Sequence, residues 1–266
     1  MAGLRIGCQS AFSAVPLTAP FEFALANGFD SFEWFPDKRP DGAGWLASDL
    51  DLPFRQALRA RARDAGMRLS VHAPVWADPL VPRTHPDLES SLRLAVDLGA
   101  SLLNIHLTDP ARAPDFASAV LPLAQRCSIS GVKLAIENTP AASPEDFNRL
   151  FALLPRGSAG MCLDIGHANL HSTTHNDYIG FLDRLAPEAR ILHVHLHENH
   201  GDRDSHLVLF TGPSARSDEG PRALVRRLIQ RGFEGSLILE QWPSPPTLLT
   251  TARDRLASLI AEEEAR

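Results

Sequence analysis

The chain alternates short apolar runs with longer segments that carry apolar residues at helical spacing, and the alternation continues along its whole length. Each run has about five residues, too few for a helix but typical of a strand buried on both faces. The eight candidate strands are residues 4–8, 31–34, 68–71, 102–105, 133–136, 160–163, 191–196 and 236–239. Eight strands separated by helices predict an α/β fold, a single closed (β/α)8 TIM barrel, whereas six would favour an open sheet.

Residues that start and stop helices lie where this interpretation needs them. Glycines follow the predicted helices 54–65, 88–98 and 221–231, and Ser143 precedes the predicted helix 146–154 as its N-cap. No linker and no shift in composition divides the chain. We therefore expect residues 1–266 to form one domain.

The composition excludes several other classes of protein. Hydrophobic residues make up 44% and charged residues 22% of the chain, which rules out disordered, collagen-like and coiled-coil sequences. No stretch approaches the ~18 consecutive apolar residues of a membrane span, so we expect no membrane contact. Three scattered cysteines form no disulfide framework and no cysteine metal site, which favours a cytoplasmic location.

The charge pattern argues against a nucleic-acid partner. Lysine and arginine number 26 and aspartate and glutamate 32, which gives a net charge of −6. The loops after the second and third predicted strands contain few cations, chiefly Lys38, Arg39 and Arg83. Because proteins that follow a nucleic-acid backbone contribute several cationic contacts to phosphates, we expect a small-molecule substrate instead.

Six consecutive predicted strands end in a residue that can bind a metal. These residues are His72, His106, Glu137, Asp164, His195 and Glu240. In a barrel of this kind the active site lies at the carboxyl ends of the strands, so the six side chains converge on one funnel. Carboxylates brought together there repel each other and lose hydration, and a cation compensates for both effects. The pattern predicts a divalent metal site.

Three further candidates lie close to these strand ends in the sequence. His167 follows Asp164 by three residues in the strand-to-helix turn, so that both side chains can reach one pocket. Asp204 and His206 form a D-x-H pair in the long loop after the seventh predicted strand. Alternate residues of an extended segment point the same way, so this pair can bind one ion.

The motifs SVHAP, LLNIH, LAIEN, LDIGH, HVHLHEN, GDRDSH and LILEQ occur in this order between Ser70 and Gln241. They resemble those of the xylose isomerase-like, AP endonuclease family 2 TIM barrels. That superfamily contains sugar and sugar-phosphate isomerases and epimerases, dehydratases, cobamide-remodelling phosphodiesterases and endonuclease IV. The resemblance implies that Glu137, Asp164, His195 and Glu240 hold the single metal ion of the isomerases. It also implies that His72, His106, His167, Asp204 and His206 complete the three-zinc cluster of endonuclease IV.

The resemblance supports two chemistries, of which the sequence favours isomerisation or epimerisation of a small sugar, sugar phosphate or related polyol. One divalent ion (Mn, Zn, Mg or Co) would stabilise an enediolate, with Glu137 and Glu240 as acid and base and His167 in contact with substrate hydroxyls. The alternative is phosphoester hydrolysis with two or three zinc ions, by an enzyme resembling endonuclease IV or the cobamide-remodelling phosphodiesterases. A metal-binding barrel without catalytic activity is the third hypothesis.

Five other residues are candidate substrate contacts. Trp34, Trp76 and Trp242 follow the second, third and eighth predicted strands, where an indole can stack on a substrate. Arg203, between two aspartates, is either a phosphate ligand or part of a local ion pair, and Asn138 follows Glu137. The quaternary state stays open, including a homo-oligomer.

Two details of the seventh predicted strand and the loop after it bear on the site. His193 and His197 share the strand parity of His195. We expect His193 to lie below the metal ring and His197 above it, and neither to bind the metal. Many relatives carry HLPLGEG after the D-x-H pair, whereas this chain has HLVLFTG. Val208 and Phe210 therefore predict a more apolar rim, suited to a hydrophobic or cofactor-sized substrate.

Overall fold

Eight parallel strands close into a barrel in the computed structural model, which describes residues 3–266. The strands are β1 (Arg5–Gln9), β2 (Ser31–Trp34), β3 (Arg68–His72), β4 (Leu102–His106), β5 (Lys133–Glu137), β6 (Gly160–Asp164), β7 (Ile191–Leu196) and β8 (Ser236–Leu239). Each pairs with its neighbours in sequence, and β8 closes the sheet against β1. The predicted (β/α)8 barrel is confirmed, with strand boundaries within one residue of those expected from the apolar runs.

Helices connect successive strands and cover the outside of the barrel. They are α1 (Ala19–Ala26), α2 (Leu52–Asp64), α3 (His85–Leu98), α4 (Ala113–Ile129), α5 (Pro144–Leu153), α6 (Ile165–Leu170), α7 (Tyr178–Asp183), α8 (Glu219–Gln230) and α9 (Thr247–Glu264). Ser143 caps α5 as expected, since its hydroxyl accepts a hydrogen bond from the Asp146 amide. Within residues 3–266, none of these helices is long and apolar enough to cross a membrane.

The two faces of the sheet are chemically different. Side chains on the outer face are apolar and pack against the helices, as the fully buried Phe32 of β2 and Val71 of β3 show. The inner face combines apolar and polar side chains, and Leu102, Ala135 and Cys162 form a small apolar cluster on it. At the same levels of the barrel the interior contains buried polar residues, namely Gln9, Glu33, Ser70, Asn104 and His193. The interior of this barrel therefore supports a polar site from below.

The prediction that Trp34 contacts substrate is wrong. Successive residues of a strand point to opposite faces, and Glu33 occupies the inward position of β2. Trp34 consequently points outward and is completely buried, with its ring centroid 4.9 Å from that of Phe32, 5.2 Å from Phe21 and 5.9 Å from Trp45. Its role is to fill the layer between sheet and helices.

Strand register places the candidate ligands at one level. His106 at the end of β4 is paired with Glu137 at the end of β5, and Asp164 at the end of β6 is paired with His195 on β7. Because the strands are parallel and adjacent, these side chains emerge side by side at the carboxyl end of the barrel. Glu240 follows β8 directly and closes the circle.

Trp34→Ala should lower the free energy of unfolding by about 3–5 kcal/mol, because it removes a buried indole from a packed layer. Trp76→Ala is the matched control, since Trp76 is 37% exposed and should cost less than about 1 kcal/mol. Urea denaturation followed by circular dichroism measures both values. Equal stabilities for the two variants would contradict the assignment of Trp34 to the core.

Candidate metal centre

Glu137 lies at the centre of the ring of strand ends. One of its oxygens is 3.1 Å from Nε2 of His72 and 3.2 Å from Nδ1 of His195, and the other is 3.3 Å from Nε2 of His106. The carboxylate is buried, and the amide of Asn104 donates a hydrogen bond to it. Imidazoles from three strands therefore share a single carboxylate.

A four-residue group within the ring has the composition of a metal site. One ligand atom from each of Glu137, Asp164, His195 and Glu240 lies within 4.8 Å of the others. Nδ1 of His195 is 2.9 Å from Glu240, yet neither this nitrogen nor Oε2 of Glu240 has a hydrogen-bond partner, although both atoms are buried. Unpartnered buried polar atoms are costly, and a coordinated cation would satisfy them.

Two histidines direct the lone pair of a ring nitrogen at a carboxylate. Nδ1 of His72 donates to the Ala73 carbonyl at 2.5 Å, which leaves Nε2 as an acceptor opposite Glu137. Nδ1 of His167 likewise donates to the Asn138 carbonyl at 2.8 Å, and its Nε2 lies 3.2 Å from Asp204. Two acceptors at this distance are compatible only with a proton or a metal ion between them. The arrangement fits a divalent cation.

The pKa values of the site residues indicate how the carboxylate charges are balanced in the absence of metal. Burial would raise the pKa of Glu137, but His195, His106 and His72 hold it well below its usual range. Although burial disfavours the charged imidazole, Asp164 and Asp204 raise the pKa of His167 to about 10, and Asp204 and Glu240 raise that of His206 to about 9. In the metal-free protein, protonated imidazoles supply the positive charge that the carboxylates require.

A second cluster lies toward solvent from the ring. Asp204 contacts His167 at 3.2 Å and His206 at 3.1 Å, so the three residues predicted for an outer ion are adjacent. His197 joins them, with Nδ1 3.7 Å from Asp204 and Nε2 3.0 Å from Asp164. His197 lies two residues beyond His195 on the carboxyl side of the strand, which is the position above the ring that its parity with His193 and His195 predicts.

Buried polar residues below the ring hold its members in place. Gln9 donates to Glu33 at 3.0 Å and to Glu240 at 3.4 Å, and Ser70 donates to Glu33 at 2.9 Å. Glu33 in turn lies 2.9 Å from Nε2 of His195 and from Nε2 of His193. The carboxylate of Glu33 therefore sits under His195 on the side opposite the ring.

The assignment of Asn138 as a substrate contact is also wrong. Both ends of its amide bind the backbone of Asp164: the nitrogen donates to the Asp164 carbonyl at 2.8 Å and the oxygen accepts from the Asp164 amide at 2.9 Å. Asn138 is completely buried, so its amide is not accessible to a ligand. It fixes the end of β6, where Oδ1 of Asp164 caps α6 by accepting from the His167 amide at 2.7 Å.

A cavity of about 390 Å³ opens beside Glu240 and His206. Trp242, Phe12, Phe35 and Val208 form much of its wall, so Trp242 stays a candidate substrate contact. Of the two residues that predict an apolar rim, Val208 lines this cavity and Phe210 does not. Trp76 is absent from this lining. Arg203 is exposed and forms no ion pair within residues 3–266, so its proposed contact with substrate stays a prediction.

Comparisons with known proteins identify the family of the chain. Residues 21–260 match the family described as xylose isomerase-like TIM barrel. The chain belongs to this family. Members of the family are mostly enzymes, and they include epimerases, isomerases and endonuclease IV.

Three solved structures illustrate the likeness. A Thermus thermophilus protein studied after soaking with ZnCl2 is 25% identical, with a TM-score of 0.71 and 98% of each chain covered. A D-tagatose 3-epimerase-like protein is 19% identical, with a TM-score of 0.75 and coverage of 97% of this chain and 99% of the other. Endonuclease IV from Thermus thermophilus is 21% identical, with a TM-score of 0.71 and the same coverage. The last two share the fold.

Metal binding should release protons. At pH 7 His167 and His206 are protonated in the metal-free protein, because their pKa values are raised to about 10 and about 9, and only neutral imidazole binds metal. Apparent zinc affinity should therefore rise with pH until these values are passed. Calorimetric titration with zinc in two buffers of different ionisation enthalpy measures the release. Identical heats in both buffers would show that no proton is displaced.

Proposed function

We propose that the protein is a metal-dependent hydrolase of small phosphoesters, with two divalent ions bound around Glu137. The observation that supports this most is that three imidazoles, those of His72, His106 and His195, converge on the single carboxylate of Glu137 at 3.1–3.3 Å. A carboxylate with more imidazole partners than one ion needs would suit a bridge between two ions. A single-ion isomerase has no need of His72 and His106.

The donor atoms suit the ions that this chemistry uses. His72, His106 and Glu137 would hold one ion, and Glu137, Asp164, His195 and Glu240 the other. Nitrogen and oxygen ligands of this kind favour zinc or manganese. Such ions, when bound, lower the pKa of a coordinated water and neutralise phosphate oxygens. With three protein ligands, the first site keeps a position open.

The surroundings of Glu137 favour hydrolysis over the isomerase chemistry that the sequence alone suggested. As the acid or base of an isomerase, Glu137 would have to gain and lose a proton. Its two oxygens are already engaged, because three imidazoles lie at 3.1–3.3 Å from them and the amide of Asn104 donates a hydrogen bond to the carboxylate. A fixed, ionised carboxylate is a good metal bridge and a poor proton carrier.

The cavity beside the ring indicates the class of substrate. Phe12, Phe35 and Trp242 offer apolar and aromatic surface, and its volume of about 390 Å³ fits a small molecule. Arg39 is the single lysine or arginine among the lining residues, where it pairs with Asp37 at 2.9 Å. Because Asp37 already compensates this charge, the anionic group of the substrate would face the metal ions, and the cavity lacks the several cations that a nucleic-acid backbone needs. We infer a phosphoester whose leaving group is largely apolar.

Isomerisation or epimerisation of a sugar is the second candidate. Glu240 favours it, because its Oε2 is buried without a hydrogen-bond partner and the residue lines the cavity. This oxygen could exchange a proton with a substrate carbon. Glu137 and Glu240 flank His195 at 3.2 and 2.9 Å, so one ion could bind between them.

His106→Asn separates the two candidates. In the hydrolase it removes a ligand of the first ion, and we expect at least ~100-fold loss of activity on aryl phosphate mono- and diesters, since changes even outside the ligand set cost 10–100-fold at metal sites. The zinc- or manganese-loaded protein should hold at least two ions per chain by elemental analysis. His200→Asn, at an exposed position in the loop after β7, is the control and should keep wild-type activity.

The outcomes are distinct. One ion per chain, together with epimerisation of ketoses that His106→Asn leaves intact, would establish the isomerase instead. A chain that binds no divalent ion under any loading condition would contradict both candidates.

A further inference from the structure

The amino end of the barrel presents cations, whereas the carboxyl end presents carboxylates. Arg5, Arg68 and Lys133 are the first residues of β1, β3 and β5. Each lies four residues before an inward residue of the same strand, and an even separation keeps side chains on one face of the sheet. The three cations therefore share the inner face, about 13 Å along the strands from the metal ring. The inward residues above them are Gln9, His72 and Glu137.

None of these three cations forms an ion pair within residues 3–266. Arg5 donates to the Gly66 carbonyl at 3.5 Å, and Arg68 donates to the Glu234 carbonyl at 3.2 Å. Burial and the charge of Arg5 lower the pKa of Arg68, although the charge of Glu234 acts in the opposite direction. Like charges gathered in this way repel each other, and an anion bound between them would relieve the repulsion.

A small cavity enters the barrel beside two of these cations. It has a volume of about 30 Å³, and its lining residues include Arg68, Lys133 and Ser236. Ser236 is buried, and its hydroxyl can donate a hydrogen bond inside the cavity. A guanidinium, an ammonium and a hydroxyl around one cavity are suited to an oxyanion such as a phosphate group. A cavity of this size suits the head group of a ligand and not a whole metabolite.

A second hydroxyl at this end of the barrel has no partner. Ser31 lies two residues before the inward Glu33 and is paired in register with Arg68. Its Oγ is buried without a hydrogen-bond partner. A buried hydroxyl of this kind is costly, and an anion oxygen or an ordered water molecule would satisfy it. The polar groups at the amino end therefore favour a bound anion.

A larger cleft continues outward from the small cavity. It has a volume of about 470 Å³ and shares Lys133, Leu192 and Glu234 with the small cavity. Arg190 and Arg231 add two cations to its lining, and neither forms an ion pair within the described part of the chain. Arg231 donates to two backbone carbonyls, at 2.7 and 3.1 Å. The apolar part of the wall consists of Leu185, Pro187, Ile191 and Phe233.

We propose that the amino end of the barrel binds a small molecule that has two anionic groups and an apolar body. A phosphate or similar oxyanion of this ligand would lie between Arg68 and Lys133, within reach of Ser236. Its body and second anionic group would occupy the cleft beside Arg190 and Arg231. The metal ligands lie at the opposite end of the strands, so this ligand is separate from the substrate of the proposed hydrolase.

Calorimetric titration of the full chain with a naphthalenedisulfonate tests the proposal, because this probe has two anionic groups on an apolar body and cannot be hydrolysed. We expect saturable binding of one probe per chain. Arg68→Gln and Lys133→Gln should each weaken binding by about 10-fold or more, since each removes a charged hydrogen-bond donor. Arg216→Gln, at an exposed position shortly before α8, is the control for loss of one charge and should bind as the wild type does.

Ser236→Ala distinguishes a built site from general attraction of anions to a basic surface. It leaves the net charge unchanged, and we expect binding about 3-fold weaker, because a donor inside the cavity is lost. Circular dichroism checks that each variant is folded, and Lys133 is exposed, so its replacement leaves the fold intact. Wild-type affinity in Lys133→Gln or in Ser236→Ala would overturn the proposal. A loss in Arg216→Gln as large as that in Lys133→Gln would overturn it as well.

Glu137→Gln separates this inference from the proposed function. It removes a ligand of both proposed ions and should leave binding of the probe unchanged. Loss of probe binding in Glu137→Gln but not in Lys133→Gln would place the anion at the metal centre and contradict the proposal. If Glu137→Gln keeps full hydrolytic activity while Lys133→Gln loses probe binding, the proposed hydrolase fails and the anion site stands.

Discussion

Crowding of like charges at the mouth of the barrel is the constraint on which this structure depends. Glu137, Asp164 and Glu240 are buried within a few ångströms of one another, where water cannot screen them. Imidazoles surround these carboxylates, and each imidazole either carries a proton or directs a nitrogen lone pair toward a carboxylate. The carboxylates stay ionised in both cases, as the lowered pKa values of Glu137 and Asp164 indicate. In the proposed metal-bound enzyme, a divalent cation would take the place of these protons.

The polar layer beneath the ring follows from the same constraint. A metal ligand must be held in one orientation before the ion arrives, and each supporting group does this for one ligand: Asn104 for Glu137, Gln9 for Glu240 and Glu33 for His195. Glu33 is itself a buried charge. It is tolerated because Gln9, Ser70 and two imidazoles surround it. An apolar interior would have been more ordinary, but it could not orient these side chains.

Much of this arrangement could be predicted from the sequence, because the alternation of side chains along a strand and the repeat of strand and helix in a barrel both leave a pattern in the sequence. Apolar runs fixed the strands, and the residue at the end of each run had to reach the barrel mouth. Trp34 was misassigned because it was taken as a residue after the strand, whereas it is the last residue of β2 and alternates with the inward Glu33. Asn138 was misassigned because an amide can bind backbone as well as ligand. Strand period predicts the place of His197 above the ring, but it does not reveal that the ring fits against Gly166.

His197 and Gly166 also show how two separate motifs depend on each other. The glycine of LDIGH is needed only if a ring occupies the space above it, and the last histidine of HVHLH can enter only if that space is empty. The donated proton on Nε2 links the ring to Asp164, which belongs to the inner group. The inner and outer clusters are therefore connected through Asp164, whose carboxylate contacts His197 in one cluster and belongs to the other.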